Sequence, residues 1–219
     1  MIQFHIGRCL VKIRALFFAV LGFLLFSSMG EGAIFGLLAA VLHELGHLGC
    51  MTLFGVPPRE VRLNPFGIDI VEQDDSGRSY GKDSLIALAG PAINLLAWLT
   101  GWGIQQGLGA DIGEWMLANL AIGLMNLMPV ESLDGGQALY AALCIKWSEE
   151  TSAKIVVAVS FVTLIPLATT GFFLLLQSHY NFSLLLISVY LIFLLLWKRG
   201  RYFTGQEPFA FKGQNRYNK

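Results

Sequence analysis

Charge is scarce in this chain. Only 14% of its 219 residues are charged, against about 25% in an ordinary soluble domain. A deficit of that size means that most of the surface does not face water. The 15 basic and 15 acidic residues cancel, so no charge excess argues for a nucleic-acid partner. Cysteine is rare too. Cys9, Cys50 and Cys144 are far apart and odd in number, which excludes a disulfide framework and a cysteine-based zinc knuckle. What the chain has instead is apolar surface, at 55% of residues.

That surface is gathered into runs. About 18–20 apolar residues cross a bilayer as a helix, and lipid offers no partners for a backbone that is not helical. Six runs qualify: 14–30, 33–55, 84–104, 114–130, 153–177 and 181–197. The fold class expected is an all-α membrane protein of about six transmembrane helices. Charge placement supports the count. With a cytoplasmic N-terminus, all fifteen Lys and Arg fall in or at the edges of 1–13, 56–83, 131–152 and 198–219. The outer loops carry only Glu31, Asp111 and Glu114. Basic residues on one side place both termini in the cytoplasm.

The first run has the basic start and small-residue end of a signal peptide, Ser27-Ser28-Met29-Gly30. A retained helix fits the topology better, since the next span must enter from outside. No repeat or low-complexity tract appears, and 1–219 is expected to be one domain with a core at about 10–200 and a cytoplasmic tail at 201–219. Between the second and third spans, two short β-prone runs flank Asn64-Pro65-Phe66-Gly67. That reads as a hairpin turn. The segment is either a plain connector or an edge strand able to pair with an extended substrate.

The chemistry sits in the second run, as His43-Glu44-Leu45-Gly46-His47. Positions i and i+4 share a helix face, so both imidazoles can reach one zinc ion while Glu44 takes a proton from water. A chance match is expected only about 0.003 times in a chain of this composition, against a pattern with a stated mechanism. A polar cluster gluing helices together is the bland alternative, but such groups in a membrane helix are costly and mark function. A catalytic zinc takes a third protein ligand and keeps an open position. Asp134 is one candidate, after helix-stopping Pro129 and before Gly135 and Gly136, which would let a non-helical segment re-enter the membrane. Glu131 is the other, and spacing leaves both open. Asn94 and Asn126, amides at membrane depth, either bond neighbouring helices or hold a substrate backbone or oxyanion. Cys50 reads as a small core residue. His5 and His179 read as surface residues, and Trp98, Trp102, Trp115, Tyr180 and Trp197 as interfacial aromatics.

Three motifs in order carry a resemblance. His43-Glu44-Leu45-Gly46-His47, Gly90-Pro91-Ala92-Ile93-Asn94, and Asn126 and Pro129 with Leu133-Asp134-Gly135-Gly136 are similar to those of the site-2 protease family of intramembrane zinc metalloproteases. The match covers about 10–200 and looks like the minimal bacterial form, similar to the sporulation-type branch. The resemblance implies Zn2+ on His43, His47 and Asp134, Glu44 as general base, and site roles for Asn94 and Asn126. It implies an endopeptidase of the bacterial cell membrane whose partners are the bilayer and membrane proteins cut in a transmembrane segment. It leaves room for a regulatory membrane partner and implies no nucleic acid. Family members often have proline at Glu131 or Ser132 and arginine or histidine at Gln137, so the rate here can differ. The rival expectation is a catalytically silent homologue that binds a membrane partner.

Overall fold

The computed structural model describes residues 2–6, 9–13, 30–56, 60–64, 67–71, 79–109, 111–178 and 183–203. The chain divides into two compact units, Met1–Asn126 and Leu127–Lys219. Most of the expected first span at 14–30, the Pro65-Phe66 turn, His179, Tyr180 and most of the tail lie outside the described residues.

Among the described residues, the first unit holds a sheet and three helices. Strands β1 (Ile2–Ile6), β2 (Cys9–Ile13), β3 (Glu60–Asn64) and β4 (Gly67–Val71) lie in that order. β1 and β2 pair antiparallel, β2 and β3 parallel, and β3 and β4 antiparallel with Asn64 opposite Gly67. The fold is therefore mostly helical rather than all-α. The N-terminal strands were not expected. Their signal is a short alternation, Ile2, Phe4 and Ile6 against Gln3 and His5, a period of two. Their pairing with β3 is non-local, with Leu10 opposite Glu60, which no local pattern reveals.

Helix α1 (Gly30–Leu53) has 24 residues, a length of about 36 Å, enough for a hydrocarbon core of about 30 Å. Ala39, His43, His47 and Met51 are buried along one stripe, while Leu38, Val41 and Leu45 are exposed. Side chains four apart share a face, so the polar groups point inward and the leucines outward. α1 packs on α2 (Tyr80–Leu108). α2 starts at Ser79, whose side chain accepts from Lys82 N, and ends at Gly109 in the left-handed region, φ 66°. Pro91 lies inside it and is fully buried. α3 (Gly113–Leu127) follows.

The second unit contains α4 (Asp134–Cys144), α5 (Glu149–Ser178) and α6 (Ser183–Phe203). Its core is Val130, Leu133, Leu164 and Leu191, so the loop before α4 is packed rather than free. The 131–152 stretch, expected as a cytoplasmic connection, carries a helix of 11 residues.

Among the described residues, three helical stretches are long and apolar enough to cross a membrane: Gly32–Leu53, Tyr80–Leu108 and Glu149–Phe173. Leu184–Leu196 is a shorter apolar helix. α3 is only 15 residues, about 22 Å long, because Pro129 lies just beyond its end.

Candidate metal centre

α1 places His43 and His47 one turn apart, and both are buried. Their Nε2 atoms lie 3.1 Å from each other. Each ring is held at its other nitrogen. His47 Nδ1 lies 2.8 Å from the carbonyl oxygen of Ile86. A carbonyl only accepts, so His47 carries its proton on Nδ1. His43 Nδ1 lies 2.7 Å from Asn94 Oδ1. The Asn94 amide donates from Nδ2 to Ala39 O and to Asn119 Oδ1, each at 2.9 Å. Those two acceptors fix the amide, so Oδ1 faces His43, which must donate from Nδ1.

Both Nε2 lone pairs therefore face the same point. Two bare lone pairs at 3.1 Å repel unless a cation lies between them. Zinc bonds histidine nitrogen at about 2.0–2.1 Å, so two ligands on a tetrahedron stand about 3.3 Å apart. The imidazole pair fits zinc in distance and in tautomer. Hydrogen-bonded outer nitrogens are also what metal-binding histidines use for orientation.

The glycine of the second motif has a steric reason. A Cβ on Gly90 would meet His47 Nε2 and stand 2.8 Å from His43 Nε2. Any side chain there would fill the space a metal needs. Asn94 is fully buried and both amide hydrogens are engaged within the protein. Its bonds to Ala39 and Asn119 join α2 to α1 and α3, the helix-bonding alternative of the sequence analysis, and its oxygen faces His43. Asn126 is half-buried and donates to Ile122 O one turn back at 3.1 Å. Asn119, also fully buried, was not singled out from sequence. One asparagine in an apolar helix reads as a helix-bonding residue, and its link to His43 runs through a second asparagine.

Asp134 is not on a non-helical re-entrant segment. It is the first residue of α4, half-buried in the first turn, where the helix dipole favours a carboxylate. Pro129 does interrupt the helix, and 128–133 folds back with Val130 N on Met128 O at 2.7 Å and Leu133 N on Val130 O at 2.8 Å. Gly135 and Gly136 are helical, and their need is space. A Cβ on Gly135 would stand 2.6 Å from Met128 O, and one on Gly136 2.7 Å from Glu131 N. Ser160 on α5 accepts from Glu131 N at 2.9 Å and donates to Val156 O at 2.7 Å, which pins the loop. Glu131 is itself buried. Glu44 is half-buried on α1 beside His43, and Cys50 is half-buried. Of the three candidate ligands, His43 and His47 belong to the first unit and Asp134 to the second.

No family model matches the chain. Curated relatives do. The chain is 28% identical to stage IV sporulation protein FB of Bacillus subtilis over 48% of its own length and 37% of that protein's. It is 30% identical to a zinc metalloprotease of Methanocaldococcus jannaschii over 65% of its length and 40% of that protein's. It thus spans about two fifths of the length of these relatives. Among solved structures, a site-2 protease from Methanocaldococcus jannaschii has a similar fold, with a TM-score of 0.57, 24% identity, and coverage of 88% of this chain and 92% of that one. A paired-imidazole site on an apolar helix and three motifs in order accompany these likenesses: the chain is similar in sequence to a sporulation protein and to a zinc metalloprotease, and similar in fold to a site-2 protease.

Proposed function

We propose that this chain is an intramembrane zinc endopeptidase that hydrolyses peptide bonds in membrane-spanning segments of other proteins. The observation that carries the reading is the imidazole pair, with Nε2 atoms 3.1 Å apart and each Nδ1 committed to an acceptor. Such a pair is costly in an apolar helix unless it serves a metal.

His43, His47 and Asp134 would hold the zinc. When bound, zinc polarises the scissile carbonyl and makes water a nucleophile near neutral pH. Glu44 takes the proton from the attacking water on its carboxylate. The water oxygen bonds to the carbonyl carbon, the carbon–nitrogen bond breaks, and Glu44 returns the proton to the leaving nitrogen. Asn94 holds His43 in its binding tautomer. Asn126 contacts the substrate backbone or the developing oxyanion. The site lies on a helix whose outer face is leucine, so a substrate segment in the bilayer is the class that reaches it, unwound locally to expose its amide. Water arrives through a cavity open to the cytoplasm. The positive-inside distribution supports a cytoplasmic position for both termini in a bacterial cell, and a regulatory membrane partner would control access.

The test uses wild type and Glu44→Gln in liposomes with a panel of single-span substrates. The variant is expected to keep its zinc and lose cleavage by about 10²–10⁴-fold, the usual scale of general acid–base catalysis. Zinc-loaded wild type that cleaves nothing and instead binds a partner tightly would replace the protease reading with the silent homologue.

A further inference from the structure

Resting on the zinc reading above, we propose that Asn119 is a positioning residue for the metal centre: a buried asparagine relay from α3 through Asn94 sets the tautomer of His43.

The relay is a chain of fixed donors and acceptors. Asn119 Nδ2 donates to the carbonyl oxygen of Trp115, one turn back on α3, at 2.9 Å. That oxygen only accepts, so it sets the orientation of the Asn119 amide and turns Oδ1 toward Asn94. Asn94 Nδ2 then donates to Asn119 Oδ1 at 2.9 Å and to Ala39 O at 2.9 Å. Both hydrogens of that amide are now used, and Asn94 Oδ1 faces His43 Nδ1 at 2.7 Å. His43 donates, and its Nε2 keeps the lone pair a metal needs. Reversing the Asn94 amide would present hydrogens to His43 Nδ1. The imidazole would then accept there and carry its proton on Nε2, where it blocks the metal. Such a reversal would also set the Asn94 oxygen against Asn119 Oδ1 and Ala39 O, two acceptors.

Burial gives the relay its force. Asn94 and Asn119 are both fully enclosed, and Gly123 on α3 lets the helices close, with its would-be Cβ 3.3 Å from Asn94 Cβ. Enclosed polar groups strengthen one another and tolerate few arrangements. Asn119 thereby acts on His43 without touching it.

The test needs no protease activity. Histidine-labelled, metal-free protein is prepared in nanodiscs as wild type, Asn119→Ala, Asn119→Leu and Asn119→Asp. The His43 nitrogen signals are read by NMR, and zinc affinity is measured by chelator competition. With four histidines in the chain, the His43 signal is assigned from a His43→Gln control. Wild type is expected to show the Nδ1–H form. Asn119→Ala should show a mixture with Nε2–H and bind zinc about tenfold more weakly, the low end of the range for outer-shell partners. Asn119→Asp keeps an acceptor toward Asn94 and should keep the Nδ1–H form even if it melts earlier. Asn119→Leu fills the space and gives the same reading if the alanine variant does not fold. A wild-type tautomer and wild-type zinc affinity in Asn119→Ala or Asn119→Leu would overturn the proposal. Loss of the Nδ1–H form in Asn119→Asp as well would reduce Asn119 to packing and overturn it too. Wild type that takes up no zinc would sink the zinc reading alone, because the tautomer measurement would still report on the relay.

Discussion

At the scale of single residues, the centre is built by subtraction as much as by donation. Gly90 offers no Cβ where His43 and His47 present Nε2. Gly90→Ala is expected to fold and to lose zinc affinity by more than tenfold, measured by chelator competition, because the methyl would lie where the proposed metal would sit and ligand geometry tolerates little displacement. Asn94→Ala removes the acceptor that holds His43, and zinc affinity should fall about 10–100-fold, the range for outer-shell partners. Equal affinity in either variant would contradict the reading of that residue. The pairing of His43 and His47 was legible in the sequence because their spacing is local. Asn94 was legible as important, but its observed partner was not. Nothing in an apolar run tells which of two helices an amide will face.

At the scale of elements, the loop of 128–133 and the start of α4 carry the third candidate ligand. Pro129 correctly marked a break. The helix after it was missed, because Gly135 and Gly136 read as breakers when their role is to let Leu127, Met128 and Val130 fold over the first turn. Gly136→Ala is expected to destabilise the protein by about 1–3 kcal/mol, the usual cost of overpacking, read as an earlier thermal transition in detergent. Ser160→Ala should cost about 1–3 kcal/mol, since Glu131 N loses its buried acceptor, and it should loosen zinc binding without touching a ligand. At the end of α4, Cys144 is buried, and burial pushes its thiol above the usual range. It should alkylate more slowly than an exposed thiol at neutral pH and catch up on unfolding, followed by mass spectrometry. The β1–β2 pair was the least legible element, because its parallel partner β3 lies on the far side of α1 in sequence.

At the scale of the whole molecule, polar and apolar residues trade places relative to a water-soluble protein. His43, His47, Asn94, Asn119, Ser160 and Ser188 are inside, while leucines such as Leu45, Leu96 and Leu196 are outside. Lipid rewards that arrangement and water would not. This much was legible from composition, because a shortage of charge and long apolar runs are properties of the whole chain. The number of spans was less so. α3 and the apolar part of α6 fall short of a full crossing, and run length in sequence does not tell where a proline will end a helix. If basic residues set the topology, reporters fused to the two termini should both be active only on the cytoplasmic side. A periplasmic signal at either end would refute that orientation. The proposed function requires one zinc ion held by ligands from distant parts of the sequence. Metal content per chain, in purified wild type and Asp134→Ala, tests it most directly. The expected result is one zinc in wild type and its loss or marked weakening in the variant. Folded wild type without zinc, or a variant that keeps all of it, would contradict that claim.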